Sequence, residues 1–341
     1  MDKLELRSLT LREIEEKLLE GNFKKYRAKQ IYNWVSKGTD DLNEMKNIPN
    51  DLIKYLEENF ILKNIEIEKV VKSKDRTQKF LLKLKDNHVI ETVLMKYKHG
   101  YSICISTQIG CKMGCKFCAS TIGGKVRDLT AGEMLGQIMT LQKYIGERIG
   151  NVVLMGSGEP LDNYDEVLKF LKLVNDDKGL NISHRRITLS TVGIVPRIYD
   201  LAKESLQITL AISLHEVDEA KRTALIPVNA KYSVEEIIEA CKFYTKKTKR
   251  RITFEYSLIN GVNDNKQSAI ALGKLLKGML CHVNLIPINA VVEKDFKPSS
   301  EINISKFKET LENYGIVTTI RREMGSDINA ACGQLRNDYI K

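Results

Sequence analysis

Cys111, Cys115 and Cys118 stand in a C-x3-C-x2-C spacing within YSICISTQIGCKMGCKFCASTIGGKVRD, residues 101–128. A loop this short can aim three thiolates at one centre. A closed zinc site or an ordinary iron–sulfur cluster takes four protein ligands. A [4Fe–4S] cluster held by three leaves one iron open to bind something else. The plainer readings are a zinc knuckle and three buried apolar cysteines, although closely spaced cysteines in an intracellular chain usually bind metal.

A second group of unusual residues falls just after apolar runs that read as strands. Gly156-Ser157-Gly158-Glu159-Pro160 follows NVVLMG, and its glycines let backbone approach a ligand while Glu159 accepts from an ammonium or a ribose hydroxyl. A dinucleotide fingerprint is excluded, because Leu161 stands where the third glycine is required. Ser190, the pair Ser213 and Leu214 with His215, and Asn289 end later runs. Singly each is an ordinary strand-end residue; together they supply hydroxyl, imidazole and amide groups to one rim. Cys332, between Ala-Ala and Gly in RREMGSDINAACGQL, reads as a cysteine placed for reach, whereas Cys241 and Cys281 read as small buried hydrophobes. Glu91 interrupts the apolar alternation of HVIETVLM, a setting that desolvates a carboxylate; its plain alternative is a solvent-facing strand position.

The elements that must position these groups are legible in outline. Residues 1–63 read as a helical unit, with Leu11, Ile14, Leu18 and Leu19 on one face, then KYRAKQIYNWV, then a helix opening at Pro49-Asn50-Asp51. Trp34 reads as core, and Lys24, Lys25, Arg27 and Lys29 as a basic run facing phosphates or simply solvent. Residues 64–100 read as strands (IEIEKVV, QKFLLKLKD, HVIETVLMKY), a connector or barrel extension. From 101 to 341 strand-type runs alternate with helical segments, two of them opening on capping boxes, Thr130 to Glu133 and Ser233 to Glu236. Such alternation builds a parallel sheet with outer crossovers, and the six or seven units expected fit an open, partial (β/α) barrel, with the site at its C-terminal rim.

Composition narrows the setting. The chain of 341 residues is 43% hydrophobic and 29% charged, with no apolar run of membrane-spanning length and no signal-peptide core at its start, so it reads as a cytoplasmic globular protein. Seven cysteines suit no secreted disulfide framework, and a net charge of +10 points weakly to a polyanionic partner.

The cysteine loop, with Phe117 before its last thiol, resembles the radical S-adenosylmethionine (SAM) superfamily. Over nearly the whole length the chain resembles its RNA adenine methyltransferases, within them the ribosomal large-subunit methyltransferase N branch. The resemblance is carried by KYRAKQIYNW, CxxxCxxC, MGxGEPLxNY, RRITLSTVGIVP, ISLH, PVNAKY, RRITFEYSLINGVND, CHVNLIPIN and RREMGSDINAACGQL. It implies an α/β fold, a partial (β/α)6 barrel with a small N-terminal accessory domain. It further implies a [4Fe–4S] cluster on Cys111, Cys115 and Cys118, and SAM lined by Gly158, Glu159, Ser190, Ser213, Leu214, His215 and Asn289. Cys332 matches the family's methyl-carrying cysteine, Cys104 the cysteine that later forms a disulfide with it, and Glu91 its proton acceptor. Two departures, Ala290 where the family has proline and Ser120 within CAST, bear only on loop geometry.

The implied reaction is methylation of adenine C2, an electron-poor carbon that a direct polar transfer from SAM would not methylate. In the family's scheme one SAM methylates the carrier cysteine, and a second gives a 5′-deoxyadenosyl radical that takes hydrogen from the S-methyl group. The resulting carbon radical adds to the base, the proton acceptor removes the C2 proton, and disulfide formation releases the RNA. The substrates implied are 23S rRNA before subunit assembly, at the peptidyl-transferase centre, and tRNA, at the adenosine beside the anticodon. A flavodoxin-type electron donor and a monomeric state go with them. The sister branch, which modifies C8, is the near alternative; Pro160 and RREMGSDI resemble the C2 branch. A zinc-stabilised RNA-binding module without catalysis is the alternative of another class, and it lacks a fourth ligand in the loop.

Overall fold

The computed structural model describes residues 3–289, 291 and 293–335; Ala290 lies outside them. In chain order, β1 (Leu4–Glu5) leads into helices α1 (Leu11–Glu20), α2 (Arg27–Ser36) and α3 (Asn50–Asn59), and β2 (Phe60–Ile61) returns to pair in parallel with β1. These elements close over their own apolar cluster, which includes Leu6, Ile14, Leu18, Ile31, Leu52 and Leu56. Helix α1 starts on a capping box the sequence reading passed over, Thr10 with Glu13. Leu19 is not on the buried face: it is 55% exposed, because the i, i+4 stripe from Ile14 to Leu18 already fills the contact. Trp34 sits half-buried at the edge of this cluster, its indole N–H donating to Asn47 Oδ1 at 2.6 Å.

The rest is built on one mixed sheet of ten strands, with a separate two-stranded hairpin. Strands β3 (Ile65–Lys72), β4 (Gln78–Leu84) and β5 (Val89–Tyr97) run antiparallel into β6 (Gly100–Cys104). A short hairpin follows, β7 (Gln108–Gly110) with β8 (Lys125–Asp128), then α4 (Ala131–Ile145), β9 (Ile149–Leu154), α5 (Tyr164–Asn175), β10 (Ile187–Thr191) and α6 (Val195–Lys203). The chain continues through β11 (Thr209–Ser213), α7 (Glu219–Leu225), α8 (Val234–Thr248), β12 (Ile252–Leu258), α9 (Lys266–Leu276), β13 (Cys281–Pro287), α10 (Glu301–Asn313) and β14 (Thr318–Ile320). The sheet order is β14-β13-β12-β11-β10-β9-β6-β5-β4-β3, and β6 and β9 through β14 are parallel. Helical crossovers pack on the outside of the parallel part, whose strands turn one apolar row, such as Leu210 and Ile212 or Phe254 and Tyr256, into the core and the alternate row, such as Ser190, Ser213 and Glu255, toward the cavity. The first and last strands of the parallel part approach each other: Cys104 on β6, with Val93 beside it on β5, shares one cavity with Ile286 on β13 and Arg321 after β14. The fold is thus an open α/β barrel with its antiparallel extension hydrogen-bonded into the same sheet. Among the described residues, no helix is long and apolar enough to cross a membrane.

Candidate active site

The cysteine loop is a hairpin cap. Gly110, at φ +74°, brings β7 so close to β8 that a Cβ there would lie 1.8 Å from the Gly124 carbonyl oxygen, and Cys111 N–H donates to that oxygen at 2.9 Å. Inside the loop, Thr121 Oγ1 donates to the carbonyls of Cys118 (2.9 Å) and Cys115 (3.2 Å). Cys111, Cys115 and Cys118 all line one cavity, and burial pushes each thiol upward, Cys111 to about 12. Three soft sulfurs on one loop suit iron–sulfur chemistry, which keeps buried thiolates compensated. Among the described residues, no group of three or more His, Cys, Asp or Glu side chains could hold a single metal ion.

The same cavity is walled by strand ends. Gly158, Glu159, Ser190, Ser213, His215 and Asn289 line it beside the three cysteines, enclosing about 960 Å³ of empty space with the mouth included. Gly158 needs its φ of +108°, and a Cβ would meet Gln108 Cβ at 2.6 Å. The Glu159 carboxylate accepts from Leu161 N–H and Val192 N–H, both at 2.9 Å. Desolvation outweighs these donors and pushes it up to about 7. Asp162 clamps this turn to the cysteine loop through Lys112 (2.7 Å) and Lys125 (2.8 Å). Despite desolvation, those lysines and Gln108 hold it down at about 2.

His215 has a left-handed backbone (φ 59°), and its Nδ1 accepts from Ser257 N–H at 2.9 Å, so the ring proton sits on Nε2. Burial, with the Arg222 charge nearby, lowers its pKa to about 3. Its ring meets Phe117 edge-on at 5.0 Å, joining the strand ends to the cysteine loop. Leu214 differs from its expectation. Its side chain is fully buried in the main core and its backbone N–H and C=O bind Glu255 and Arg222, so it stands behind the wall.

Cys332 lies where this cavity meets a second one, and Cys104 lines the second. The loop carrying Cys332 is held from several sides: Asn289 Nδ2 donates to the Cys332 carbonyl (3.0 Å), Ala119 N–H to the Gly333 carbonyl (2.7 Å) and Ser120 Oγ to the Leu335 carbonyl (2.7 Å). The turn between β3 and β4 seats its other end, Asp75 Oδ2 accepting from Gly325 N–H at 2.9 Å. Burial pushes the Cys104 thiol up to about 12. Glu91 is 4% exposed and paired with Lys79 at 2.9 Å. It is buried, as its place in the strand implied, but in company with a cation the sequence reading did not anticipate.

Two charged lining residues were missed. Glu255, on β12, is buried with its carboxylate pushed up by desolvation, and Arg321 stands 3.9 Å from it, reaching both cavities. The Cys332 sulfur, chiefly, holds the Arg321 guanidinium toward its charged form, against burial. A charge inside the apolar run RITFEYSLI was the available signal for Glu255, as it was for Glu91.

An open α/β barrel with three thiols on a loop after its first parallel strand, facing a cavity walled by the strand ends, defines a radical SAM enzyme. Residues 105–272 match the family model of the radical SAM superfamily, and residues 4–62 match that of the ribosomal RNA large subunit methyltransferase N-terminal domain. A probable dual-specificity RNA methyltransferase RlmN of Clostridium botulinum (strain Alaska E43 / Type E3) is 61% identical over 333 residues, 97% of this chain and 96% of its own. Another, of Alkaliphilus oremlandii, is 55% identical over 342 residues, 100% of each chain. The crystal structure of a radical SAM methyltransferase from Sphaerobacter thermophilus superposes with TM-score 0.94 at 41% identity, over 98% of this chain and 100% of that one. The chain belongs to the RlmN family of radical SAM RNA methyltransferases. Its cofactors are a [4Fe–4S] cluster and SAM, and the reading as a non-catalytic zinc module is set aside.

Proposed function

We propose that the chain methylates C2 of an adenosine in the peptidyl-transferase centre of 23S rRNA and of the adenosine beside the anticodon in tRNAs, with Cys332 as methyl carrier. The observation that carries this reading is the position of Cys332, on the border between the cofactor cavity and the smaller cavity it shares with Cys104. A cysteine there can face the methyl donor on one side and its resolving thiol on the other.

The cluster and SAM, when bound, supply the methyl group and a 5′-deoxyadenosyl radical. The protein's own residues supply the remainder. Cys111, Cys115 and Cys118 hold the cluster, and Glu159, Ser190, Ser213, His215 and Asn289 surround SAM, with Gly158 giving close backbone approach. Glu91 takes the C2 proton of the adduct, and Cys104 resolves Cys332 through a transient disulfide, as a catalytic rather than structural pairing would behave. Asn289 does double duty, lining the SAM cavity and holding the Cys332 carbonyl.

The test is anaerobic reconstitution with iron and sulfide, then incubation with SAM, reductant and unmodified 23S rRNA fragment or tRNA, with the product located by mass spectrometry. The expected product is 2-methyladenosine, lost by at least about 1,000-fold in Cys332→Ala, as for removal of a covalent catalyst. 8-Methyladenosine would place the chain in the sister branch. Retention of methylation in Cys332→Ala would overturn the carrier role.

A further inference from the structure

Lys79 is a buried lysine that the reaction scheme leaves without a role. It lies on β4, is 9% exposed, and its ammonium group reaches two partners: Glu91 Oε1 at 2.9 Å and the Asn329 carbonyl oxygen at 3.1 Å. The second partner is 250 residues away in sequence, on the loop that carries Cys332. The strand register shows why these groups meet. Lys79 stands opposite Val93 on β5, and Val93 opposite Cys104 on β6, so Lys79, Val93 and Cys104 form a row across three strands. Glu91 is diagonal to Lys79 on the same face, two residues from Val93 toward the barrel rim, where its carbonyl accepts from Ser106 Oγ at 2.7 Å.

Desolvating an ammonium group is costly, and a strand position needing only packing would be filled by an apolar side chain. Here the lysine touches the carboxylate assigned to proton removal and the backbone of the loop whose cysteine carries the adduct. We propose that Lys79 is a positioning residue for the proton-removal step, holding the Glu91 carboxylate oriented toward the bound base and tying that orientation to the seating of the Cys332 loop. The inference rests on the reading of Glu91 as proton acceptor. It adds no chemical step: the C2–H bond still breaks with its proton going to a Glu91 oxygen, and Lys79 keeps its own protons throughout.

The experiment uses the reconstituted full chain with SAM, reductant and RNA, and follows two quantities in one time course. These are 5′-deoxyadenosine, which reports formation of the adduct, and covalent RNA–protein adduct on denaturing gels, which reports failure to release it. Lys79→Met is expected to form 5′-deoxyadenosine in the first turnover at close to the normal rate, yet to release adduct about 10–100-fold more slowly, the size expected of a misplaced catalytic group. Lys79→Arg, which restores a cation with two donors, is expected to recover most of the release. Should Lys79→Met not accumulate as folded protein, Lys79→Gln, which keeps a donor for the Asn329 carbonyl but no charge, takes its place. Release at the normal rate in Lys79→Met, beside a Glu91→Gln variant that traps adduct, overturns the proposal. So does parallel loss of 5′-deoxyadenosine and adduct, the mark of a purely structural ion pair. A Glu91→Gln variant that traps nothing removes the reading of Glu91 itself, and the role of Lys79 with it.

Discussion

At His215 one backbone donor decides what an imidazole can do. Ser257 N–H occupies Nδ1, so the ring offers the cavity only an Nε2 donor, and burial beside Arg222 keeps it neutral. Protonating it would put a second cation next to the Arg222 guanidinium, which already donates to the carbonyls of Val192, Ser213 and Leu214. The group's folded pKa, about 3, lies below the ordinary histidine value of 6.5. The stability it contributes is therefore complete above pH 6.5 and is lost as pH falls toward 3. At pH 5 the loss is about 2 kcal/mol, taken as 1.5 pH units below the unfolded value at about 1.4 kcal/mol each. Unfolding midpoints of cofactor-free wild type and His215→Gln between about pH 5 and pH 7 check this. The wild-type curve should be the steeper, and parallel curves would show that His215 is not the source.

The β7–β8 hairpin does at the scale of an element what no single ligand residue can: it fixes where the three-thiol loop begins and ends. Its strands are very short, and the closure depends on the crossing of Gly110 over the Gly124 carbonyl. Gly110→Ala would place a methyl group 1.8 Å from that oxygen at φ +74°. The expected cost is on the order of 3 kcal/mol from strain and overpacking. Iron content after reconstitution should fall with it, while the far-UV spectrum stays native; full iron loading at an unchanged melting temperature would refute the role given to this crossing. This hairpin was not legible in the sequence, because runs as short as Gln108–Gly110 carry no periodicity. The parallel strands were legible, as apolar runs such as NVVLMG and RITLST flanked by polar rim residues. The last of them is short, Thr318–Ile320, and Arg321 directly after it lines the cavities. Lys79 was illegible for a different reason. In QKFLLKLKD it alternates like a solvent-facing residue, and what buries it is a loop 250 residues away. Leu214, expected beside SAM, has its side chain in the core, at the point where the chain leaves β11 after Ser213 and turns through the left-handed backbone of His215.

At the scale of the whole molecule, the helical N-terminal unit is docked on α4 by a face that only small residues allow. Gly132 and Gly136, four apart and so on one side of the helix, meet Glu5 with Ser8 and Asn64 with Ile65. The Glu5 carboxylate accepts from Ser8, Asn64 and Thr130, and desolvation raises its pKa even so. Arg7, 2% exposed, reaches Asp40 at 2.7 Å, and Lys143 from α4 binds the same carboxylate at 2.6 Å. On its outer side this unit carries exposed Lys24, Lys25 and Lys29 around exposed Tyr26, over whose ring the Arg27 guanidinium lies at 4.9 Å. Such a surface gives sequence-independent attraction to RNA phosphates, in a chain of net charge +10. If RNA is held there, the dock would fix that surface in place relative to the cavity, and this is what the following variant tests. Gly132→Val would drive a side chain into the Glu5 carboxylate and Ser8 Oγ, both 2.6 Å from the position of a Cβ. Neither can retreat without breaking the Glu5 hydrogen bonds, so the N-terminal unit should lift from α4 while the barrel, with its separate core, persists. RNA affinity is expected to drop on the order of tenfold, about 1.4 kcal/mol. Reductive SAM cleavage in the absence of RNA should be unchanged, because every residue assigned to the cofactor cavity lies outside the dock. Filter binding at about 50 and about 200 mM salt separates the outcomes. A loss at both salts with cleavage intact supports a positioning role for the N-terminal unit, and unaltered binding at both would show that the barrel alone presents the RNA surface.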